Sequence, residues 1–139
     1  MQIQPYLFFE GRCEEAIEFY KRALGAKDVK IMRYKDAPPG EQGGTPPGAE
    51  NKVMHANFRI GDSVVMASDG FNRGQPKFEG ISLTIEALND AETERIFAAL
   101  AEGGQVKMPL TKTFFASKFG MAHSTSPKWA AISASGLAL

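Results

Sequence analysis

The stretch that decides the fold is "KVMHANFRIGDSVVMASD", residues 52–69. Apolar and polar residues alternate before Gly61-Asp62 and a short apolar run follows it, which reads as two antiparallel strands joined by a two-residue turn. With that turn, Ile60 faces Ser63, Asn57 faces Met66 and His55 faces Ser68. Side chains in a strand alternate faces with period two. One face of the hairpin then holds Met54, Ala56, Phe58, Ile60, Val65, Ala67 and Asp69, and is apolar enough to pack on a helix. The other holds Val53, His55, Asn57, Arg59, Val64, Met66 and Ser68, and is mixed. A one-residue slip in the turn would exchange the two faces.

Upstream, "IQPYLFFE" (3–10) reads as a buried strand, and "RCEEAIEFYKRALG" (12–25) as an amphipathic helix. Its apolar positions Cys13, Ala16, Ile17, Tyr20 and Leu24 recur at helical spacing, and Gly25 supplies the stop. "KDVKIMRYKD" (27–36) reads as a strand. Residues 37–51, with four prolines and four glycines, hold no regular element. Downstream of a connector at 71–79, the order repeats. "GISLTIEAL" (80–88) is a strand. "NDAETERIFAALAEGG" (89–104) is a helix capped by Asn89 or Asp90, with Thr93, Ile96, Phe97 and Leu100 on its apolar stripe. "QVKMPL" (105–110) is a further strand. "FYKRALGAKDVKIM" aligns with "IFAALAEGGQVKM" at an offset of about 76 residues, an internal repeat that constrains the whole architecture. Each unit reads β-α-β-β-β, so the fold class is α+β. The chain is expected to be a single domain, with module one over about 1–70 and module two over about 80–139.

Composition narrows the function. A chain of 139 residues fits one domain. Sixteen Lys and Arg balance sixteen Asp and Glu, so no charge excess points to nucleic acid or to an anionic membrane. No apolar run reaches the roughly 18 residues of a spanning helix. The N-terminal "MQIQPYLFFEGR" lacks the basic region and cleavage site of a signal peptide, so a cytoplasmic location is expected. The single cysteine, Cys13, leaves no internal disulfide or multi-cysteine zinc site, and reads as a small buried hydrophobe rather than a nucleophile.

Two modules of this kind resemble the vicinal-oxygen-chelate superfamily of glyoxalase I, extradiol dioxygenases and bleomycin-resistance proteins. "PYLFFEGRCEEAIEFYKRALGA", "MHANFRIGDSVVMASD" and "MPLTKTFFASKFGM" are similar to its PhnB-like subfamily, over residues 3 to about 121. The resemblance implies sheets curled into a ligand-holding cup with the helices outside, and a homodimer. In PhnB-like chains "FGM" is usually followed by Asp, a Phe-Gly turn and an apolar strand with Trp. Here "FGMAHSTSPKWAAISASGLAL" keeps Trp129 but lacks the Asp and the Phe-Gly turn, and its final strand is weaker.

Metal-dependent members of the superfamily draw four His, Gln or Glu ligands from the first and last strands of each module. Those slots fall here on Pro5 or Tyr6, near Met66 and Ser68, on Gly80 to Ser82, and near Trp129 to Ala131, none of them suited to a divalent ion. His55 is a single imidazole, so no metal and no other cofactor is expected. Members of the subfamily often bear a demethylubiquinone methyltransferase label, yet neither Gly-Gly pair opens a helix after a strand, as an S-adenosylmethionine site of the usual type would need. The expectation is a small, partly apolar ligand bound by His55, Asn57 and Ser68 with Tyr6, Phe114, Phe119 and Trp129 as apolar lining. The alternatives are a metal-dependent lyase, isomerase or dioxygenase, and a degenerate paralogue with an interaction role.

Overall fold

The structure, a computed structural model, describes residues 1–38, 40, 45, 47–71, 74, 80–124 and 132–137. The chain divides into two compact units, Met1–Pro76 and Lys77–Leu139. Unit one contains β1 (Tyr6–Phe8), α1 (Cys13–Leu24), β2 (Lys27–Arg33), β3 (Val53–Ile60) and β4 (Ser63–Ser68). Unit two contains β5 (Leu83–Ala87), α2 (Asp90–Ala101), β6 (Gly104–Thr111), β7 (Ala116–Ser124) and β8 (Ile132–Leu137).

In unit one the strand order is β1-β4-β3-β2. The β3–β4 hairpin turns at Gly61-Asp62 in the expected register, with Ile60 opposite Ser63 and Asn57 opposite Met66. Its apolar face is buried: Ala56, Phe58, Val65 and Ala67 join the core. Phe58 stacks on Tyr20 of α1 with ring centroids 5.8 Å apart. The helix buries Cys13, Ala16, Ile17, Phe19, Tyr20 and Ala23. It ends because Gly25 takes the left-handed conformation at φ 66°, letting its N–H and that of Ala26 satisfy the last carbonyls. Glu14 and Glu15 lie in the first turn and Lys21 and Arg22 in the last, each favourable to the helix dipole.

Asp69 follows β4 on the apolar side. Its Oδ1 accepts the Cys13 N–H at 2.9 Å, and its Oδ2 accepts the Val53 N–H at 2.7 Å. The carboxylate therefore fills the N-terminus of α1 and ties it to the start of β3.

In unit two β5 spans Leu83–Ala87 rather than 80–88, with Ile81 and Leu88 exposed, and two strands of unit one also differ from the sequence reading. The first strand is three residues, not eight, because Ile3 is fully solvated rather than buried. The second stops at Arg33, where the Asp36 carboxylate accepts the Arg33 N–H at 2.9 Å and turns Tyr34–Asp36 into a single 3-10 turn. The described part of 37–51 holds neither helix nor strand beyond the end of that turn.

Unit two repeats the order as β5-β8-β7-β6. In both units the first strand runs parallel to the fourth, and the other pairs are antiparallel. Asn89 caps α2 by accepting the Glu92 N–H, and Glu92 reaches back to the Leu88 N–H, both at 2.9 Å. Ala122 of β7 packs under Phe97 of α2. Gly120 lies beneath the same ring; a Cβ there would meet Phe97 at 2.7 Å. The atypical C-terminal segment still supplies β8, which pairs with both β5 and β7.

Candidate ligand-binding site

With α1 covering one face of the first sheet, the opposite face is set by alternation and register. Tyr6 pairs with Met66 across β1 and β4, Asn57 with Met66 across β3 and β4, and Met32 with His55 across β2 and β3. Directly paired residues share a face. Tyr6, Phe8, His55, Asn57, Met66, Lys30 and Met32 therefore stand on this open face.

The centre of the face is one polar contact. The phenol oxygen of Tyr6 lies 3.1 Å from Nδ1 of His55, and the rings are 5.6 Å apart. Tyr6 reaches across β4 to do so, since β1 and β3 are not neighbours. Two further aromatics extend the contact. Phe8 lies 5.0 Å from Tyr6, and Phe71 stacks on Phe8 at 5.8 Å. These rings are not core: Tyr6 is 37% exposed, Phe8 41% and Phe71 66%.

The remaining predicted residues fall in different places. Asn57 is half-buried and faces Met66. Ser68 is 5% exposed, and its hydroxyl accepts the Gly70 N–H at 3.1 Å, closing the turn after β4. Phe119 lies in β7 of unit two, with its ring 5.1 Å from Phe115. Phe114 is 98% exposed, in the β6–β7 connection. Trp129 lies outside the described residues. Phe8, Met32 and Phe71 were not among the residues expected from sequence. Phe8 and Met32 carried a signal, because Phe8 is two residues from Tyr6 and Met32 alternates along a strand. Phe71 carried none, lying past the last strand of the unit.

Cys13 is fully buried, and burial, with Asp69 and Glu14 adding negative charge nearby, pushes its thiol pKa up to about 12. It is no nucleophile at neutral pH. Among the described residues no three His, Cys, Asp or Glu side chains converge. His55 is one imidazole whose Nδ1 faces Tyr6, beside thioethers, and this donor set does not fit a catalytic divalent ion. No helix among the described residues is long and apolar enough to cross a membrane.

Two β-α-β-β-β units with parallel first and fourth strands define the glyoxalase/bleomycin-resistance/dioxygenase class. A domain of that description from Frankia sp. shares the fold at a TM-score of 0.58 and 15% identity, over 99% of this chain and 98% of that one. Within the class, the chain belongs to the PhnB-like family described as 3-demethylubiquinone-9 3-methyltransferase, whose model matches residues 1–125. It is 33% identical over 126 residues to protein YjdN of Escherichia coli, covering 86% of each chain. Protein PA1353 of Pseudomonas aeruginosa matches at 35% identity and a TM-score of 0.82, over 99% of this chain and 98% of that one. A Bacillus cereus PhnB protein, described as a putative 3-demethylubiquinone-9 3-methyltransferase, matches at 28% identity and a TM-score of 0.77, over 98% and 99%.

The family description implies S-adenosylmethionine, which the usual methyltransferase binds at a helix N-terminus opened by a Gly-rich turn. Here both helix N-termini are filled by the chain's own side chains, α1 by the Asp69 carboxylate and α2 by Asn89 with Glu92. The residues present do not fit that cofactor in that mode.

Proposed function

We propose that this chain binds a small, partly apolar molecule on the open face of its first sheet, with no metal between protein and ligand. The observation that carries the reading is the Tyr6–His55 contact, a polar anchor standing among solvent-exposed rings. Binding sites for small molecules combine an apolar lining with a few placed polar groups. Clustered exposed aromatics in a folded domain mark a surface meant to be covered. His55 Nε2 has no hydrogen-bond partner among the described residues, so the pair keeps capacity to bond a ligand.

The test is a fragment screen read by NMR on uniformly labelled protein treated with chelator. Ligands should shift the ring signals of His55, Tyr6 and Phe8 together. A requirement for added metal, or shifts confined to unit two, would overturn the reading.

A further inference from the structure

We infer that Tyr6 fixes the tautomer of His55, and that the ligand accordingly presents a hydrogen-bond acceptor, a carbonyl oxygen, to the His55 Nε2–H; this rests on the binding site proposed above. A neutral imidazole has one N–H and one bare nitrogen, and the partners of the two nitrogens decide which is which. The Tyr6 phenol oxygen lies 3.1 Å from Nδ1. This is the one side-chain hydrogen bond that either residue makes among the described residues. Two arrangements fit that distance. In the first, the Tyr6 O–H donates to a bare Nδ1, and Nε2 carries the ring proton. In the second, Nδ1–H donates to the phenol oxygen, and the Tyr6 O–H has no acceptor among the described residues.

The first arrangement is favoured on two grounds. An imidazole nitrogen is a far stronger base than a phenol oxygen, so O–H···N is the stronger bond. It also gives the phenol proton an acceptor in the protein, which the second leaves to solvent. No carboxylate of the neighbouring strands competes for the ring. β1, β3 and β4 contain no Asp or Glu, and the residue paired with His55 on β2 is Met32, a thioether. Tyr6 is therefore a positioning residue, and the His55 Nε2–H is a donor without a partner among the described residues. A ligand N–H or O–H set against it would bring two hydrogens together, whereas a carbonyl oxygen accepts it. The exposed rings of Phe8 and Phe71 supply apolar contact for the rest of such a molecule.

The experiment has two parts, both read by NMR on the whole chain at alkaline pH, where imidazole is neutral. In the free protein, proton–nitrogen correlation of the His55 ring should show Nε2 protonated and Nδ1 bare, and Tyr6→Phe should admit the other tautomer in part. Nδ1–H as the major form, or ring nitrogen signals indifferent to Tyr6→Phe, overturns the inference. The second part titrates acetophenone and indole, neutral molecules of the same size. The ketone has an acceptor and no donor, and indole an N–H donor and no lone-pair acceptor. The ketone should move the His55 Nε2 signal and bind about fivefold more tightly, the scale of one net hydrogen bond. His55→Phe should bring the ketone down to the affinity of indole. Equal or tighter binding of indole at His55 and Tyr6 overturns the acceptor ligand and leaves the binding site standing. A ketone preference that survives His55→Phe does the same. If neither compound, at millimolar concentration, moves His55 or Tyr6, the inference falls together with the site.

Discussion

Asp69 caps α1 through Cys13, a residue 56 positions earlier in the chain, with Oδ1 2.9 Å from its amide nitrogen. The other carboxylate oxygen holds the Val53 amide at 2.7 Å. Both hydrogen bonds are buried and charge-assisted. Asp69→Ala leaves two buried N–H groups without acceptors and should cost about 2–4 kcal/mol. Urea unfolding should show a lower midpoint at unchanged slope.

Cys13 offers a second check on the same end of the helix. With its pKa near 12, the native thiol should not react with a disulfide reagent at pH 8. In denaturing urea one thiol per chain should react within minutes. Reaction at comparable rates in both states would contradict the packing of α1 on the sheet.

The ion pair between α1 and β2 predicts a pH effect. Arg33 donates both terminal nitrogens to Glu14, at 2.9 and 2.7 Å, and holds the Glu14 carboxyl below its ordinary pKa. A carboxylate with a lowered folded pKa contributes stability that is present above its unfolded value of about 4.5 and is lost as pH falls through the folded value. Glu14 is half exposed, so the effect is small. The wild-type urea midpoint should fall more steeply below pH 4.5 than that of Glu14→Gln, with the two parallel at neutral pH.

Gly120 reports on unit two. Its Cβ position lies 2.7 Å from Phe97, 3.0 Å from Leu110 and 3.1 Å from the Met108 carbonyl oxygen. Gly120→Ala should destabilise by about 1–3 kcal/mol through overpacking. Combining it with Phe97→Leu should recover part of that loss, a coupling measured by a double-mutant cycle.

Tyr6→Phe tests the open face. The hydroxyl is partly solvated, so stability should change by less than about 1 kcal/mol. The His55 ring signals should move in the free protein. Ligand affinity should fall while the urea midpoint stays put, separating a binding role from a structural one.

The fold was readable because its signals are local. The hairpin face of Ala56, Phe58, Val65 and Ala67 followed from alternation and one turn, and α1 from its spacing and Gly25. The position of Asp69 on the helix side followed too, but not its work as a cap, since nothing in the sequence near Cys13 points 56 residues ahead. Likewise His55 could be placed on the open face, whereas Tyr6 as its partner depends on strand order, which pairing across β4 alone decides. Ser68 shared the face by parity, yet its hydroxyl is engaged by the Gly70 N–H, a turn bond that alternation does not foresee. Phe71 joined the aromatic group through stacking beyond the strand, where periodicity ends.

The parallel pairing of β1 with β4 has a consequence for synthesis. The strand made first in unit one waits for the strand made last, with Phe8 finding its neighbour only when Ser68 exists. No described residue of unit two enters that sheet. Domains emerging from the ribosome fold as units, the N-terminal one first. Unit one therefore has every strand of its sheet once Ser68 has left the ribosome, and can close that sheet while unit two is still being made.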